Sequence, residues 1–403
     1  MIYCSPKESM SVLFFKCNNM LKMLYSFNKN KTKRRKGMNF HVRHYSEIDK
    51  EKWNTFVRSS SMGWAYFLYD MIKFHRHISY KNESFAIVDE NKEIFMVIQL
   101  HRTPQNKLVS QWGFVVKDNL TKKQSKHLKE IFKNYIDSYI SKFKIKSFDL
   151  NICPLSAINL PENHNMVNPS IYYFFSPGLR YTYLVDLAKS DDRMLADCEE
   201  TTRQAIRKYD KLARYTVVES DGSLADCNKY IELHKETYTR TNAKKNIIDD
   251  SYNKNIFETL IPQKISKVFF LKDNETNEYI ATVAILIYGK TAYYWWGASK
   301  DDKEVGVNKY LLFKVICYVR EMFGKCGYFE TGGAYPHKRV GKYKGLNDFK
   351  KCFGTFLHPI FKGSYEKLSD IKTHEQLKLL GFKINLKTSS KVLKIIKTLN
   401  MNM

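Results

Sequence analysis

Two glycine-rich stretches near the end of the chain carry the side chains best suited to chemistry. The first runs Gly-Tyr-Phe-Glu-Thr-Gly-Gly over 327–333, and the second runs Gly-Leu-Asn-Asp-Phe-Lys-Lys-Cys-Phe-Gly over 345–354. Phe349 and Phe353 stand four residues apart, so on a helix they would pack on one side and hold Lys350 in place. A positioned ammonium group lowers a barrier at which negative charge develops. The alternative is a solvated lysine in a basic tail.

Several standard catalytic signatures are missing. The sequence contains no GxSxG, HExxH, Walker A or GxGxxG pattern, and its histidines do not cluster as metal ligands. This argues against a hydrolase, a metalloprotease or a nucleoside triphosphatase, and we expect neither a metal nor a resident cofactor.

A possible anion-binding loop precedes the long helix predicted over 308–323. Lys303–Asn308 partly matches the Gln/Arg-x-x-Gly-x-Gly/Ala loop with which GNAT acyltransferases hold the pyrophosphate of coenzyme A. Such loops use free backbone N–H groups at a helix N-terminus. Asn308 replaces the small residue of that pattern, so an ordinary turn at Gly306 with Asn308 as the N-cap is an equal alternative.

The two glycine-rich stretches resemble the C-terminal signature of the Fem family of peptidoglycan-bridge aminoacyltransferases. In that signature a strand ending in Asp or Glu and Gly-Gly precedes Gly-Leu-x-x-Phe-Lys-x-x-Phe-Gly. Further segments are similar to the family's aromatic-glycine strand, its Arg-x-x-Ile-Arg-Lys segment and its Thr-x-x-Arg stretch, at 293–299, 203–208 and 237–240. The resemblance is firm over 181–360 and rests mostly on element order over 38–155.

The resemblance implies two GNAT-like domains in tandem and transfer of an amino acid from aminoacyl-tRNA to an amine of a peptidoglycan precursor, without a metal. Attack of an amine on an ester forms a tetrahedral oxyanion. The motif lysine of the family matches Lys350, which is therefore expected to contact a substrate phosphate or the developing charge.

Further substrate-binding residues are carried over from the same motifs. Arg203 and Arg207 are expected to meet phosphates of tRNA or of a nucleotide, with a solvated helix face as the equal alternative. For Trp296 the alternative is a core position. The full set of predicted substrate-binding residues is Arg203, Arg207, Arg240, Trp296, Gly332 and Gly333.

One position departs from the family pattern. Some relatives end the first unit in x-Ile-Asp-Pro, with that Asp a proposed acid/base residue, whereas this chain has Cys153 before Pro154. Asp149 lies four residues earlier, on the same face of a regular strand. No adjacent base can be named that would activate Cys153 as a nucleophile.

A duplication positions these motifs. A strand, two helices, a hairpin, a strand, a long helix and a final strand occur twice, so that Asp89 maps to Asp273 and Trp112 to Trp296 at a shift of 184. The final strands, at 147–149 and 328–330, are related by a shift of 181. This order predicts an α+β fold made of two tandem GNAT-like acyltransferase domains with mixed sheets. In the first copy the second helix is predicted over 64–75, the strand after the hairpin over 107–116 and the long helix over 123–143, and residues 154–177 read as a connecting loop.

The predicted boundaries divide the chain into four parts. Lys33 to Gly37 reads as a translated ribosome-binding site, so Met38 is the expected start, with a functional basic arm as the alternative. The parts are a non-native or disordered basic leader at 1–37, a first GNAT-like domain at 38–180, a second with the catalytic motif at 181–370, and a basic tail at 371–403.

Composition bounds the partners and the compartment. The net charge of +26, or +18 without the leader, predicts attraction to polyanions such as nucleic acid, nucleotide-linked sugars or an anionic membrane surface. The 8 cysteines form no CxxC pair and indicate a reducing cytoplasm. No apolar run is long enough for a spanning helix, so a cytoplasmic location, including the inner face of the membrane, is expected.

Three functions follow from these observations. The leading one is a cytoplasmic Fem-like aminoacyltransferase that uses aminoacyl-tRNA and acts on a peptidoglycan or other cell-envelope amine. The second is an acyl-CoA-dependent N-acetyltransferase acting on a nucleotide sugar or polysaccharide unit. The third is an inactive nucleic-acid-binding protein that keeps the fold and its basic surface.

Overall fold

The computed structural model of the chain describes residues 39–75, 81–163, 167–241, 250–300, 304–336 and 340–365. The predicted leader at 1–37 and the predicted tail at 371–403 lie outside these residues.

The first unit contributes strands to two sheets. Its elements are β1 His41–His44, α1 Lys50–Ser59, β2 Lys81–Asn82, β3 Phe85–Val88, β4 Ile94–Ile98, β5 His101–Arg102, β6 Leu108–Ser110, β7 Phe114–Val116, α2 Lys122–Phe143 and β8 Phe148–Asn151. Four of the strands form an antiparallel sheet of order β1-β3-β4-β7. Helix α2 starts at a capping box in which Thr121 and Gln124 bond each other's backbone N–H. Its buried residues recur at helical spacing, which explains why it packs along one side.

The second unit repeats this order on the long sheet. The elements that follow β8 along the chain are β9 Phe175–Asp186, α3 Asp191–Asp197, α4 Glu200–Leu212, β10 Tyr215–Glu219, α5 Leu224–Arg240, α6 Asp250–Asn255, β11 Ser266–Asp273, β12 Glu278–Tyr288, β13 Thr291–Ser299, α7 Val307–Met322, β14 Tyr328–Ala334, α8 Lys342–Lys351 and β15 Phe356–Tyr365. The long sheet has the order β10-β11-β12-β13-β14-β9-β15-β8-β6-β5-β2 and so runs through both units.

An exchange of strands joins the two units. Strand β9 follows the first unit but pairs with β14 of the second, and β15 follows the second unit but pairs with β8 of the first. The two exchanged strands also pair with each other, antiparallel, along the whole length of β15. A parallel pair flanks them on either side, β13 with β14 and β6 with β8. The repeat therefore has an approximate two-fold relation centred between β9 and β15.

A shared core fills the contact between the units. Trp53 and Trp64 of the first unit belong to the same buried cluster as Tyr230 and Phe270 of the second. The Trp64 indole N–H also donates to Thr291 Oγ1 at 2.9 Å, and the Tyr288 hydroxyl donates to the Val57 carbonyl at 3.0 Å. The two units are thus fixed against one another by packing as well as by the continuous sheet.

Three local predictions were wrong, and one strand was missed. The helix predicted over 64–75 is two 3₁₀ segments, Ala65–Phe67 and Tyr69–His75. The predicted strand 107–116 breaks because Gly113 has φ +87°, which lets β6 and β7 enter different sheets. The loop predicted over 154–177 contains two 3₁₀ segments and the start of β9. Strand β15 was not predicted.

Candidate active site

The two central strands of the second unit separate at one point and open a cleft. Strands β13 and β14 are paired in parallel only from Thr291 with Tyr328 to Tyr293 with Glu330. Beyond this point β13 continues along β12 to Ser299, while β14 continues along β9. The side chains of Tyr293 and Glu330 therefore stand where the cleft begins.

Glu330 is a buried carboxyl at the apex of this cleft. Its side chain accepts a hydrogen bond from Thr182 Oγ1 at 2.5 Å, and the residue is only 2% exposed. Burial raises the pKa of Glu330 to about 7, although the Thr182 hydrogen bond and the charge of Lys350 act in the opposite direction. The group can thus hold or release a proton near neutral pH.

Lys350 extends from the last turn of α8 toward Glu330. Its ammonium group donates to the Gly333 carbonyl at 3.2 Å, and Thr331 Oγ1 donates to the Lys350 carbonyl at 2.9 Å. Burial lowers the pKa of Lys350, and the charge of Glu330 raises it. The lysine is consequently held in a partly dehydrated setting against β14, the strand that carries Glu330.

Gly332 allows the lysine to cross β14. Its φ is +108°, at a register shift between Glu330 and Gly332, and an added Cβ would lie 2.9 Å from Lys350 Nζ. An added Cβ on the neighbouring Gly333 would meet nothing within 4 Å. Both predicted glycines therefore lie beside Lys350, but only Gly332 is required to be glycine by conformation and space.

Two phenylalanines fix the helix that carries the lysine, as their spacing predicts. The rings of Phe349 and Phe353 lie 5.5 Å apart in an edge arrangement, and Phe353 is buried in the core of the second unit. Phe349 also faces Tyr294 at 6.1 Å. Lys350 is thus a positioned side chain and not a solvated lysine of a tail.

Aromatic side chains from both units wall the cleft. The Tyr66 ring lies 5.3 Å from Trp112 and 6.2 Å from Tyr293, and Trp112 lies 6.3 Å from Tyr293. Burial raises the pKa of Tyr66 and of Tyr293, and the nearby Glu330 charge adds to the effect in both. The first unit therefore completes a site whose charged residues come from the second.

Cys153 lies next to this wall as a buried thiol. It is 2% exposed and belongs to the shared core with Tyr66. Burial raises the pKa of Cys153, and the charge of Glu330 contributes in the same direction. The thiol is protonated at neutral pH, which agrees with the expectation that it is not a nucleophile.

Arg203 and Arg207 lie on α4, outside the cleft apex. The Arg203 guanidinium donates to the carbonyls of Ala196 and Cys198, and so stabilises the end of α3. Arg207 is exposed. The start of α4 adjoins α8, because the Glu199 N–H donates to the Cys352 carbonyl at 3.0 Å.

Arg240 and Trp296 lie along the far arm of β13. Arg240 Nη2 donates to Ser299 Oγ at 3.3 Å, and the Trp296 indole N–H donates to the Tyr252 hydroxyl at 3.3 Å. The structure brings together Lys350, Gly332 and Gly333, whereas these two residues border the cleft at a distance from its apex.

Glu330 and the aromatic wall were missed as site residues. Glu330 lies inside the glycine-rich motif at 327–333 and maps to Asp149 in the repeat. Each of the two carboxylates accepts a hydrogen bond from a hydroxyl of an exchanged strand, Glu330 from Thr182 and Asp149 from Ser364. The correspondence between Glu330 and Asp149 is the signal in the sequence that could have identified Glu330 as a site residue. The contribution of Tyr66 depends on contacts more than 200 residues apart in sequence, such as its pairing with Tyr293, which no local pattern reveals.

The loop before α7 differs from a free pyrophosphate loop. Gly306, with φ +95°, is the N-cap of α7, and the predicted N-cap Asn308 instead donates to Ser299 Oγ at 3.3 Å. Helix α4 packs so closely that an added Cβ on Gly306 would lie 2.8 Å from the Ala205 Cβ. The carboxylate of Glu304 accepts bonds from Lys208 at 2.6 Å and from Tyr215 at 3.2 Å. An anion at this helix end would meet a resident carboxylate.

The described residues form neither a metal-binding cluster nor a membrane-spanning helix. No three His, Cys, Asp or Glu side chains within the described ranges are grouped as a metal site requires. None of the helices described is both long and apolar enough to cross a bilayer.

Comparisons with known proteins identify the fold. Residues 196–342 match the family model described as an acetyltransferase (GNAT) domain, which confirms the predicted acyltransferase class. The structure of FemX is similar with a TM-score of 0.57 and 17% identity, over 84% of this chain and 99% of that one. No curated protein matches the sequence.

Two further solved structures have the same fold. The L-PGS of Bacillus licheniformis gives a TM-score of 0.53 at 14% identity, over 82% of this chain and 96% of that one. A conserved protein of unknown function from Bacteroides thetaiotaomicron gives 0.54 at 10% identity, over 81% and 100%. These likenesses confirm the predicted α+β tandem GNAT architecture and the resemblance to the Fem family at the level of the fold.

Proposed function

We propose that this GNAT-type acyltransferase, which has the tandem fold of FemX, moves an aminoacyl group from aminoacyl-tRNA to an amine of a peptidoglycan or other cell-envelope precursor. The observation that carries the proposal is the position of the buried carboxyl Glu330 on β14, the strand to which Lys350 donates through the Gly333 carbonyl. A buried base beside a positioned cation suits attack of an amine on an ester. The reaction is placed in the cytoplasm, where both substrates are made.

The proton and the developing charge have separate partners in this mechanism. The acceptor ammonium group first loses one proton to solvent. The free amine then bonds to the ester carbonyl carbon while Glu330, in its carboxylate form, takes the second proton from that nitrogen. The carbonyl oxygen becomes an oxyanion that Lys350 stabilises. When the intermediate collapses, the bond from carbon to the ribose oxygen breaks. The proton held by Glu330 passes to that oxygen, so the carboxylate is restored and tRNA leaves with its hydroxyl.

The aromatic wall suits an ester donor. Aminoacyl esters hydrolyse readily, and water in the cleft would compete with the amine. Tyr66 is buried against Trp112 and Tyr293, so this side of the apex is closed to solvent. The first unit thereby serves as the acceptor-side wall of the site.

Transfer from acyl-CoA is the second candidate, and one observation weighs against it. Coenzyme A in GNAT enzymes requires free N–H groups at the helix that follows the fourth strand, here the start of α7. Glu304 places a carboxylate two residues before Gly306, and α4 lies against the same turn. Ion pairs with Lys208 and Arg214 offset the charge of this carboxylate, so the close packing of α4 against Gly306 carries the objection to a pyrophosphate at this turn.

A donor comparison tests the proposed reaction. The full chain is incubated with amine-bearing envelope precursors and either tRNA charged with a mixture of labelled amino acids or labelled acetyl-CoA. We expect incorporation from charged tRNA, its loss in Lys350→Ala, and full activity in Lys254→Ala, which changes an exposed lysine of α6. Incorporation from acetyl-CoA alone would overturn the proposal.

A further inference from the structure

Among the described residues, no helix of either unit covers the middle of one face of the exchanged strands. The register pairs Leu357 with Tyr183 and Leu179 with Phe361, and alternation places these residues on the same face. At the two ends of that face, Tyr365 packs into the core of the first unit and Val185 into the core of the second. In between, Leu179 is 50% and Leu357 47% exposed. Single exposed leucines are ordinary on a protein surface, but several exposed apolar side chains that adjoin one another mark an interaction surface.

Helix α8 extends this bare face toward Lys350. The Tyr183 hydroxyl donates to Asn347 Oδ1 at 3.1 Å, so α8 borders the same face of the sheet. Tyr343 and Leu346 lie one turn before Asn347 and Lys350, and they are 52% and 37% exposed. Together, Leu179, Leu357, Tyr343 and Leu346 form what we call the apolar face.

The charge along this edge is strongly positive. Helix α8 carries 4 lysines and 1 aspartate, in a chain whose net charge is +26. Its Lys344 and Lys351 are exposed, with the carboxylates of Asp348 and Glu199 at 2.6 Å and 3.3 Å from them. Aliphatic side chains offer nothing to phosphates or nucleobases, so a polynucleotide would leave the leucines unused. A surface that combines exposed aliphatic and aromatic groups with clustered lysines instead complements anionic headgroups above an apolar layer.

We infer that the apolar face and the lysines of α8 dock this protein on an anionic phospholipid bilayer. Docking uses the leucines and Tyr343 as interfacial anchors and the lysines as electrostatic contacts. Lys350 shares the helix that makes the contact, so a docked molecule holds its site beside the bilayer surface. This consequence rests on the proposed function, since it matters only if the acceptor amine belongs to a membrane-anchored precursor.

Vesicle sedimentation tests the inference without any substrate. The full chain is mixed with vesicles of phosphatidylcholine alone or with about 30% phosphatidylglycerol, a content rich enough to bind basic segments. We expect pelleting only with the anionic vesicles. The double variant Leu179→Ser/Leu357→Ser should reduce the partition coefficient by about 10-fold or more, because two leucines no longer enter the lipid. Lys344→Glu/Lys351→Glu should also weaken binding.

A matched control and the opposing results complete the test. Leu212→Ser/Leu224→Ser changes two leucines that are 53% and 69% exposed on other helices, and it should bind like the parent chain. Equal pelleting by neutral vesicles, no pelleting at all, or equal loss in both leucine pairs would each overturn the inference. Transfer to a soluble amine should be unchanged in Leu179→Ser/Leu357→Ser. Failure of docking and failure of the proposed reaction are therefore distinguishable.

Discussion

Glu330 changes charge near neutral pH, and the proposed reaction depends on its deprotonated form. Because burial raises the pKa of Glu330 to about 7, the rate of transfer should increase as the pH rises through 7 and level off above it. The measurement is kcat/KM for the acceptor between pH 5.5 and 8.5. A rate that is flat over this range would show that another group removes the proton.

The same carboxyl makes a prediction about stability. The pKa of Glu330 is higher in the folded chain than the ordinary value of 4.5, so the folded state binds the proton more tightly than the unfolded state. Its contribution to stability is complete below 4.5 and is lost as the pH rises through about 7. Glu330→Gln should therefore raise the melting temperature relative to the parent chain at pH 8 more than at pH 5. An equal difference in melting temperature at both pH values would contradict a buried Glu330 with a raised pKa.

Lys350 affects both the oxyanion and the base. Its charge lowers the pKa of Glu330, so Lys350→Met should move the acidic limb of the rate profile to higher pH as well as reduce the rate. Removal of one oxyanion contact typically reduces kcat by about 10²–10³-fold. The control Lys254→Met, at an exposed lysine of α6, keeps both the rate and the pH profile. A lower rate with an unchanged pH profile would mean that the charges of Lys350 and Glu330 do not interact.

At the scale of elements, the register shift in β14 after Glu330 leaves room at Gly332 for the side chain of Lys350 from α8. Gly332→Ala places a Cβ 2.9 Å from Lys350 Nζ at a φ of +108°, so it should lower both stability and transfer. The expected destabilisation is more than about 1 kcal/mol, because alanine is strained at positive φ. Gly333→Ala is the matched control, since its Cβ meets nothing within 4 Å. Denaturant unfolding and initial rates measure both effects, and equal behaviour of the two variants would contradict this role for Gly332.

Local patterns in the sequence predict most elements but not those that depend on distant partners. Helix α2 was predicted over 123–143 and found at Lys122–Phe143, because its buried stripe and its cap are local signals. Strand β15 was missed because it contains Pro359, which cannot donate a backbone hydrogen bond. Pro359 is tolerated because β8 pairs only with Lys362–Tyr365, which leaves one side of β15 unpaired at the proline.

The whole molecule explains why the site needs both units. The duplication predicts two similar halves, and the motifs predict that the second carries Lys350. The exchange of β9 and β15 was not predictable, since each strand pairs with residues of the other unit far along the chain. That exchange holds the aromatic wall of the first unit against Glu330, and so turns a repeated fold into one asymmetric site.

The most direct test of the central claim is the rate of amide formation in a single turnover from labelled aminoacyl-tRNA. It is measured with the parent chain and with Glu330→Gln, with binding of the charged tRNA monitored in parallel. We predict that Glu330→Gln binds the donor normally but forms amide about 10²–10⁴-fold more slowly, the usual range for loss of a general base. Amide formation at the parental rate in Glu330→Gln would contradict the account.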